Sequence, residues 1–369
     1  MKIIKLMAVF TALMLILVAC TSDADTTTTA AADAGSDTTA APVEEDTGSL
    51  LDEVIARGEL KCGTRDALTG FAVLTADGEH VGFDSDFCRV IAAAVLGDAD
   101  AVDHVDLETA DRFTALQSGQ VDVLSRNTTW TASRDGSEGA TFLTVTYYDG
   151  QGMMASADSG YASINDMNGA IVCVAKGTTT EGNAATVSER LGLGWEVRPF
   201  DDNALIQEAF DAGQCDGWSA DSSALTGIRA DQPAGPDSVV ILPEVFSKEP
   251  LAPLVLDGDS DWAQAVDWAI LATITAEEWG ITSANVDTFL TSDDTNIVKF
   301  LGGEFEDGDG NVAVFDPGLG LPADFAYQVI KQVGNYGEIF DRHLTPLGLE
   351  RGVNALWVDG GLMYSPPYR

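Results

Sequence analysis

Ala170-Ile171-Val172-Cys173-Val174, followed by Lys176-Gly177-Thr178-Thr179-Thr180-Glu181, decides how the chain divides. The first run is apolar and rich in β-branched residues, which predicts a buried strand. The second is a glycine turn and then a Thr-x-x-Glu capping box at Thr178 and Glu181, which predicts that a helix starts there. Downstream, Val197–Phe200 reads as a strand. Asn203 to Ala212 reads as a helix with apolar Leu205, Ile206, Ala209 and Phe210, closed by Gly213. Cys215-Asp216-Gly217-Trp218 is the next strand. The same rhythm stands upstream. Leu60-Lys61-Cys62-Gly63-Thr64 is a strand, and Asp84 is placed to cap a helix running through Ala92-Ala93-Ala94 to Leu96. Val102 to Leu107 is a strand, Phe113 to Gly119 a short helix closed by glycine, and Val121 to Leu124 a further strand. Two α/β units thus follow one another, each about one hundred residues long, with mostly parallel sheets covered by helices. A strong helix follows, with Trp262, Val266, Ile270 and Ile274 on one face, and the tail it opens is expected to pack back on the first unit.

The N-terminus carries an address. Met1-Lys2-Ile3-Ile4-Lys5 is a short positive region, and Leu6 through Ala19 is an almost unbroken apolar run. That run has the form of a secretory signal and is short for a membrane span. It ends in Leu17-Val18-Ala19-Cys20, which resembles a bacterial lipobox, so Cys20 is the expected lipidation site; the other reading is an ordinary signal with a chance cysteine. Thr21 to Gly48 holds seven acids, no base and no apolar residue larger than Val43. Such a segment buries too little surface to offset its ordering entropy and reads as a self-repelling tether. The expected division is residues 1–19 signal peptide, 20–48 tether, 49–148 the first part of lobe one, 149–248 lobe two, and 249–369 the return to lobe one with a helical extension.

Across 369 residues, 19 Lys+Arg stand against 59 Asp+Glu, a net charge of −40. A surface this acidic repels phosphate backbones and anionic membrane surfaces, which argues against nucleic-acid partners and against membrane contact other than through lipid at Cys20. A saline habitat, where self-repulsion is screened, accounts for the same composition. Export exposes Cys62, Cys88, Cys173 and Cys215 to an oxidising compartment. Their spacings fit no zinc pattern, and four cysteines allow three pairings. If each cysteine-bearing strand opens one lobe, local pairing gives Cys62–Cys88 and Cys173–Cys215.

Gly82-Phe83-Asp84-Ser85-Asp86-Phe87, Phe113-Thr114-Ala115-Leu116-Gln117-Ser118-Gly119 and Asp122-Val123-Leu124-Ser125-Arg126-Asn127-Thr128-Thr129-Trp130-Thr131 carry a resemblance. So do Tyr147-Tyr148-Asp149-Gly150-Gln151-Gly152, Gly177-Thr178-Thr179-Thr180-Glu181 and Lys331 to Phe340. From about residue 49 to 369 the chain resembles the polar amino-acid solute-binding proteins of ABC importers, in their general L-amino-acid-binding branch. The resemblance implies an α/β clamshell of the type II periplasmic-binding fold, two lobes joined by two crossover hinge strands. It implies a monomer that hands free L-amino acids to ABC permease transmembrane subunits, outside the cytoplasm, with no cofactor and no metal.

A zwitterion needs a charge-assisted partner at each end in a closed cleft. The resemblance implies that Arg134 clamps the carboxylate, beside Thr129 and Thr131 on one loop. Asn127 and Thr128 either join them or brace that loop. Arg126 stands where narrower relatives carry a small hydroxyl residue; it reaches acidic ligand side chains or pairs with a surface acid. The turn at Thr178 and Thr179 aims helix N-terminal amides at the carboxylate from the second lobe, with Thr179 in direct contact. Asp221 matches the family's acid for the ligand ammonium. Leu68 replaces a stacking aromatic of specialised relatives, which suits broad specificity, and Phe71 either walls the pocket or belongs to the core.

No G-x-S-x-G elbow, phosphate loop or H-E-x-x-H occurs. Asp307-Gly308-Asp309-Gly310-Asn311 and Asp257-Gly258-Asp259-Ser260-Asp261 alternate oxygens like calcium loops but lack the later glycine and glutamate, so both read as solvated turns. His80, His104 and His343 form no evident cluster in sequence. Binding rather than catalysis is therefore expected. The alternatives are an exported prephenate- or arogenate-dehydratase-like enzyme on the same fold, for which no general acid is evident, and an amino-acid sensor module.

Overall fold

The computed structural model describes residues 48–369; the signal run, Cys20 and nearly all of the expected tether lie outside the described residues. Two five-stranded sheets share one plan. In the first, Leu60–Thr64 lies between Val102–Asp106 and Val123–Leu124, parallel to both, with Cys62 opposite His104 and Val123. Leu254–Leu256 then joins antiparallel, followed by Ala140–Phe142. In the second, Ile171–Ala175 lies between Glu196–Phe200 and Gly217–Asp221, again parallel, and Gln151–Ser156 and then Val239–Ile241 complete it. The chain enters the second sheet through Tyr147–Asp149 and leaves it through Glu249–Leu251. These two strands pair antiparallel, with Glu249 opposite Asp149 and Leu251 opposite Tyr147. Two paired crossings make a bending point shared by both lobes.

The tail packs on the first sheet's helices, as the apolar face of Ser260–Glu278 requires. Trp262, Val266, Ile270 and Ile274 are all buried, and the helix packs against Phe83–Leu96, as does Phe325–Gln332. Trp262 Nε1 donates to the Asp122 carbonyl at 2.9 Å. Asp259, within one of the calcium-like runs, caps the long helix by accepting from Trp262 N and also holds Leu50 N at 2.6 Å. Asp307 accepts from the amides of Asp309 and Asn311 in a hairpin turn. No helix among the described residues is long and apolar enough to cross a membrane.

Both disulfides join the local partners, Cys62 to Cys88 and Cys173 to Cys215. The first ties Leu60–Thr64 to the helix Phe83–Leu96, and the second ties Ile171–Ala175 to the segment just before Gly217–Asp221. Phe71 is core: its ring meets Phe83 and Tyr147 edge-on at 6.0 and 5.7 Å.

Three expectations need correction. Asp84 does not cap its helix. Gly82 holds the cap position at φ +142°, where a Cβ would fall 2.2 Å from the Phe71 carbonyl oxygen, so only glycine fits. Asp84 is instead buried in the helix's first turn. The capping box at Thr178 is half formed: Thr178 Oγ1 accepts from Glu181 N, but Glu181 turns to Gly177 N. And two histidines do cluster. A small sheet brings His80 over His104 with stacked rings 4.6 Å apart. Burial, then the neighbouring His80, lowers the His104 pKa to about 4.

Candidate functional site

The cleft lies where both sheets end. From the first side, the loop after Val123–Leu124 turns sharply at Asn127, whose φ of +27° is left-handed. Asparagine tolerates this conformation better than a branched residue would. The turn is held by Asn127 N donating to the Asp84 carboxylate at 2.8 Å. Burial raises the Asp84 pKa to about 7. Thr129 bridges to Leu251 of the returning crossover. The short helix Ala132–Ser137 follows, capped by Thr131, which accepts from Arg134 N at 3.2 Å. Arg134 is buried and folds back, donating Nη1 to the Thr129 carbonyl at 2.9 Å, with its guanidinium over the Phe113 ring. Burial lowers its pKa, and Glu249 and Asp221 act against that.

From the second side, Thr178 caps the helix Thr179–Leu191, and Thr179 Oγ1 donates to Glu249 at 2.9 Å. Asp221 ends the strand Gly217–Asp221 and begins the helix Ser222–Ala230. Its carboxylate is buried, and its pKa is raised well above the ordinary aspartate value, first by burial and then by Asp149 and Glu249. Asp149, raised to about 6 by burial, is held by Ser223. The two sides touch. Asn127 Nδ2 donates to Asp221 at 3.3 Å, and the hydroxyls of Thr129 and Thr179 lie 3.5 Å apart. This is a closed clamshell.

Of the expected site residues, Asn127, Thr129, Arg134, Thr178, Thr179 and Asp221 line the cleft together. Thr128 does not: it is buried, with Oγ1 donating to the Arg126 carbonyl, and so braces the loop. Leu68 does not either. It is 1% exposed and belongs to the main core, because in the hairpin Ala67–Leu68 the alternation sends Ala67 outward and Leu68 inward. Arg65, at the mouth of the same hairpin, lines the cleft instead, with Thr109, Arg112, Arg126 and Asn203. Arg65 and Arg112 went unread in the sequence. The signals were their scarcity in an acidic chain and, for Arg65, its place just past the C-terminal end of a parallel strand.

The chain is similar to known proteins along most of its length. The family of bacterial extracellular solute-binding proteins, family 3, matches residues 60–299. The General L-amino acid-binding periplasmic protein AapJ of Rhizobium johnstonii is 46% identical over 324 residues, 87% of this chain and 93% of that protein. The Glutamate/glutamine/aspartate/asparagine-binding protein BztA of Rhodobacter capsulatus is 45% identical, covering 87% of this chain and 94% of that one. The solved structure of an ABC transporter/periplasmic binding protein from Brucella ovis with glutathione bound has a TM-score of 0.82 at 44% identity, over 87% of this chain and 100% of that chain. With a shared fold and this extent of identity, the chain belongs to the bacterial extracellular solute-binding proteins, family 3.

Proposed function

We propose that the chain is the extracytoplasmic amino-acid-binding component of an ABC importer. It captures L-amino acids between its lobes and hands them to a permease. The observation that carries this reading is one cation and one anion, Arg134 and Asp221, lining the same cleft from opposite sides, each desolvated. Among the described residues neither has an oppositely charged group within 4.0 Å. A free amino acid supplies both missing charges, its carboxylate to Arg134 and the Thr179 turn, its ammonium to Asp221.

In this reading residues 49–148 and 249–369 form one lobe and 149–248 the other. The protein acts as a monomer, makes and breaks no bond, and is held at the membrane by lipid on Cys20 through the tether. Broad specificity no longer draws support from Leu68. Calorimetric titration of the full chain with the twenty L-amino acids tests the binding role. Saturable one-to-one binding is expected, and no binding by any of them overturns it.

A further inference from the structure

Four of the nineteen bases in this acidic chain, Arg65, Arg112, Arg126 and Arg134, line one cleft. An α-carboxylate needs only one. Among the described residues, none of the four has a carboxylate oxygen within 4.0 Å. That is unusual where acids outnumber bases threefold, since buried charge is costly without a partner. Arg112 is 4% exposed, and its Nε is buried without a hydrogen-bond partner. Arg126 is 2% exposed; Nε donates to the Leu107 carbonyl and one terminal nitrogen to Thr109 Oγ1, at 2.9 and 3.0 Å. Among the described residues, Arg65 reaches only the Asn127 amide oxygen, at 3.4 Å. The nearby acids, Glu108, Asp84, Asp221 and Glu138, stand too far off to form ion pairs.

We infer that Arg65, Arg112 and Arg126 form a second anion subsite, which takes the side-chain carboxylate of a dicarboxylic L-amino acid while Arg134 holds the α-carboxylate. The inference rests on the amino-acid-binding reading above. Burial first, then repulsion from Arg134 and Arg65, lowers the Arg112 pKa to about 9, and a bound anion would offset that repulsion. Thr109 and Asn127 hold two of the three guanidiniums in place, so little ordering remains to be done on binding.

Titration of the full chain with L-glutamate and its isostere L-glutamine isolates the side-chain charge, because both share one head group. The parent is expected to bind glutamate about tenfold or more tightly than glutamine, and Arg112→Gln should bring that ratio to within about threefold of one. Arg65→Gln, at a half-buried position that tolerates change better, should lower the same ratio and serves if Arg112→Gln does not fold. Glutamine bound as tightly as glutamate by the parent overturns the subsite, as does an unchanged ratio in the variants. If neither ligand nor L-leucine binds the parent, the amino-acid reading itself has failed.

Discussion

Asp221 sits with Asp149 and Glu249 near the crossover strands, and its charged form is disfavoured first by burial and then by those two acids. In the closed cleft without ligand it therefore keeps its proton to higher pH than an ordinary aspartate. A ligand ammonium reverses this, favours the carboxylate and drives the proton out. Binding should thus release protons, strengthen as pH rises through the empty-state pKa of Asp221, and weaken on acidification. Asp149, raised to about 6, titrates beside it and contributes a share. Titrations in two buffers of different ionisation enthalpy read the release directly. Asp221→Asn should reduce it and cost on the order of 2–5 kcal/mol in affinity, because the ammonium then loses its counter-charge. Buffer-independent heats in the parent, or the same release in Asp221→Asn, would contradict the assignment.

At the scale of elements, each sheet has a strand with parallel neighbours on both sides tied by a disulfide, across sequence separations of 26 and 42 residues. Closing loops of that size restricts the unfolded chain by about 3–4 kcal/mol each in the chain-entropy account. Cys62, Cys88 and Cys173 are fully buried. Thermal unfolding with and without reductant should therefore show a large drop in Tm, and the drop should develop slowly because opening must precede reduction. An unchanged Tm after complete reduction would remove the role given to the bridges.

Much of this level was legible beforehand. Local signals carried it, such as the glycine turn and Thr178 cap, the apolar face from Trp262 to Ile274, and the cysteines placed on the strands Leu60–Thr64 and Ile171–Ala175. What escaped depends on distant pairing. Asp84 looks like a cap because of its residue type, but the close approach of the Phe71 carbonyl hands that position to Gly82. The stacked His80 and His104 meet only through tertiary packing of the small sheet. The resemblance implies a pocket role for Leu68, yet strand alternation turns it into the core. Arg65 and Arg112 converge because the connections after the neighbouring strands Leu60–Thr64 and Val102–Asp106 emerge at one end of the sheet, a pairing that the local signals at each residue do not show.

At the scale of the whole molecule, two lobes with the same strand order close on a cleft that gathers arginines in a chain of net charge −40. The acidic exterior repels anions at long range, while the buried arginines attract them at short range, so an anionic ligand is favoured only inside. The paired crossings Tyr147–Asp149 and Glu249–Leu251 give the lobes a shared bending point, and a zwitterion that touches both sides pulls them together. A crystal structure of the full chain grown with the tightest-binding amino acid tests the central claim most directly. The account predicts closed lobes, the ligand α-carboxylate on the Arg134 guanidinium and the ammonium on the Asp221 carboxylate, each at about 2.7–2.9 Å. A ligand bound outside this cleft, or held in it without contact to either Arg134 or Asp221, would contradict the account.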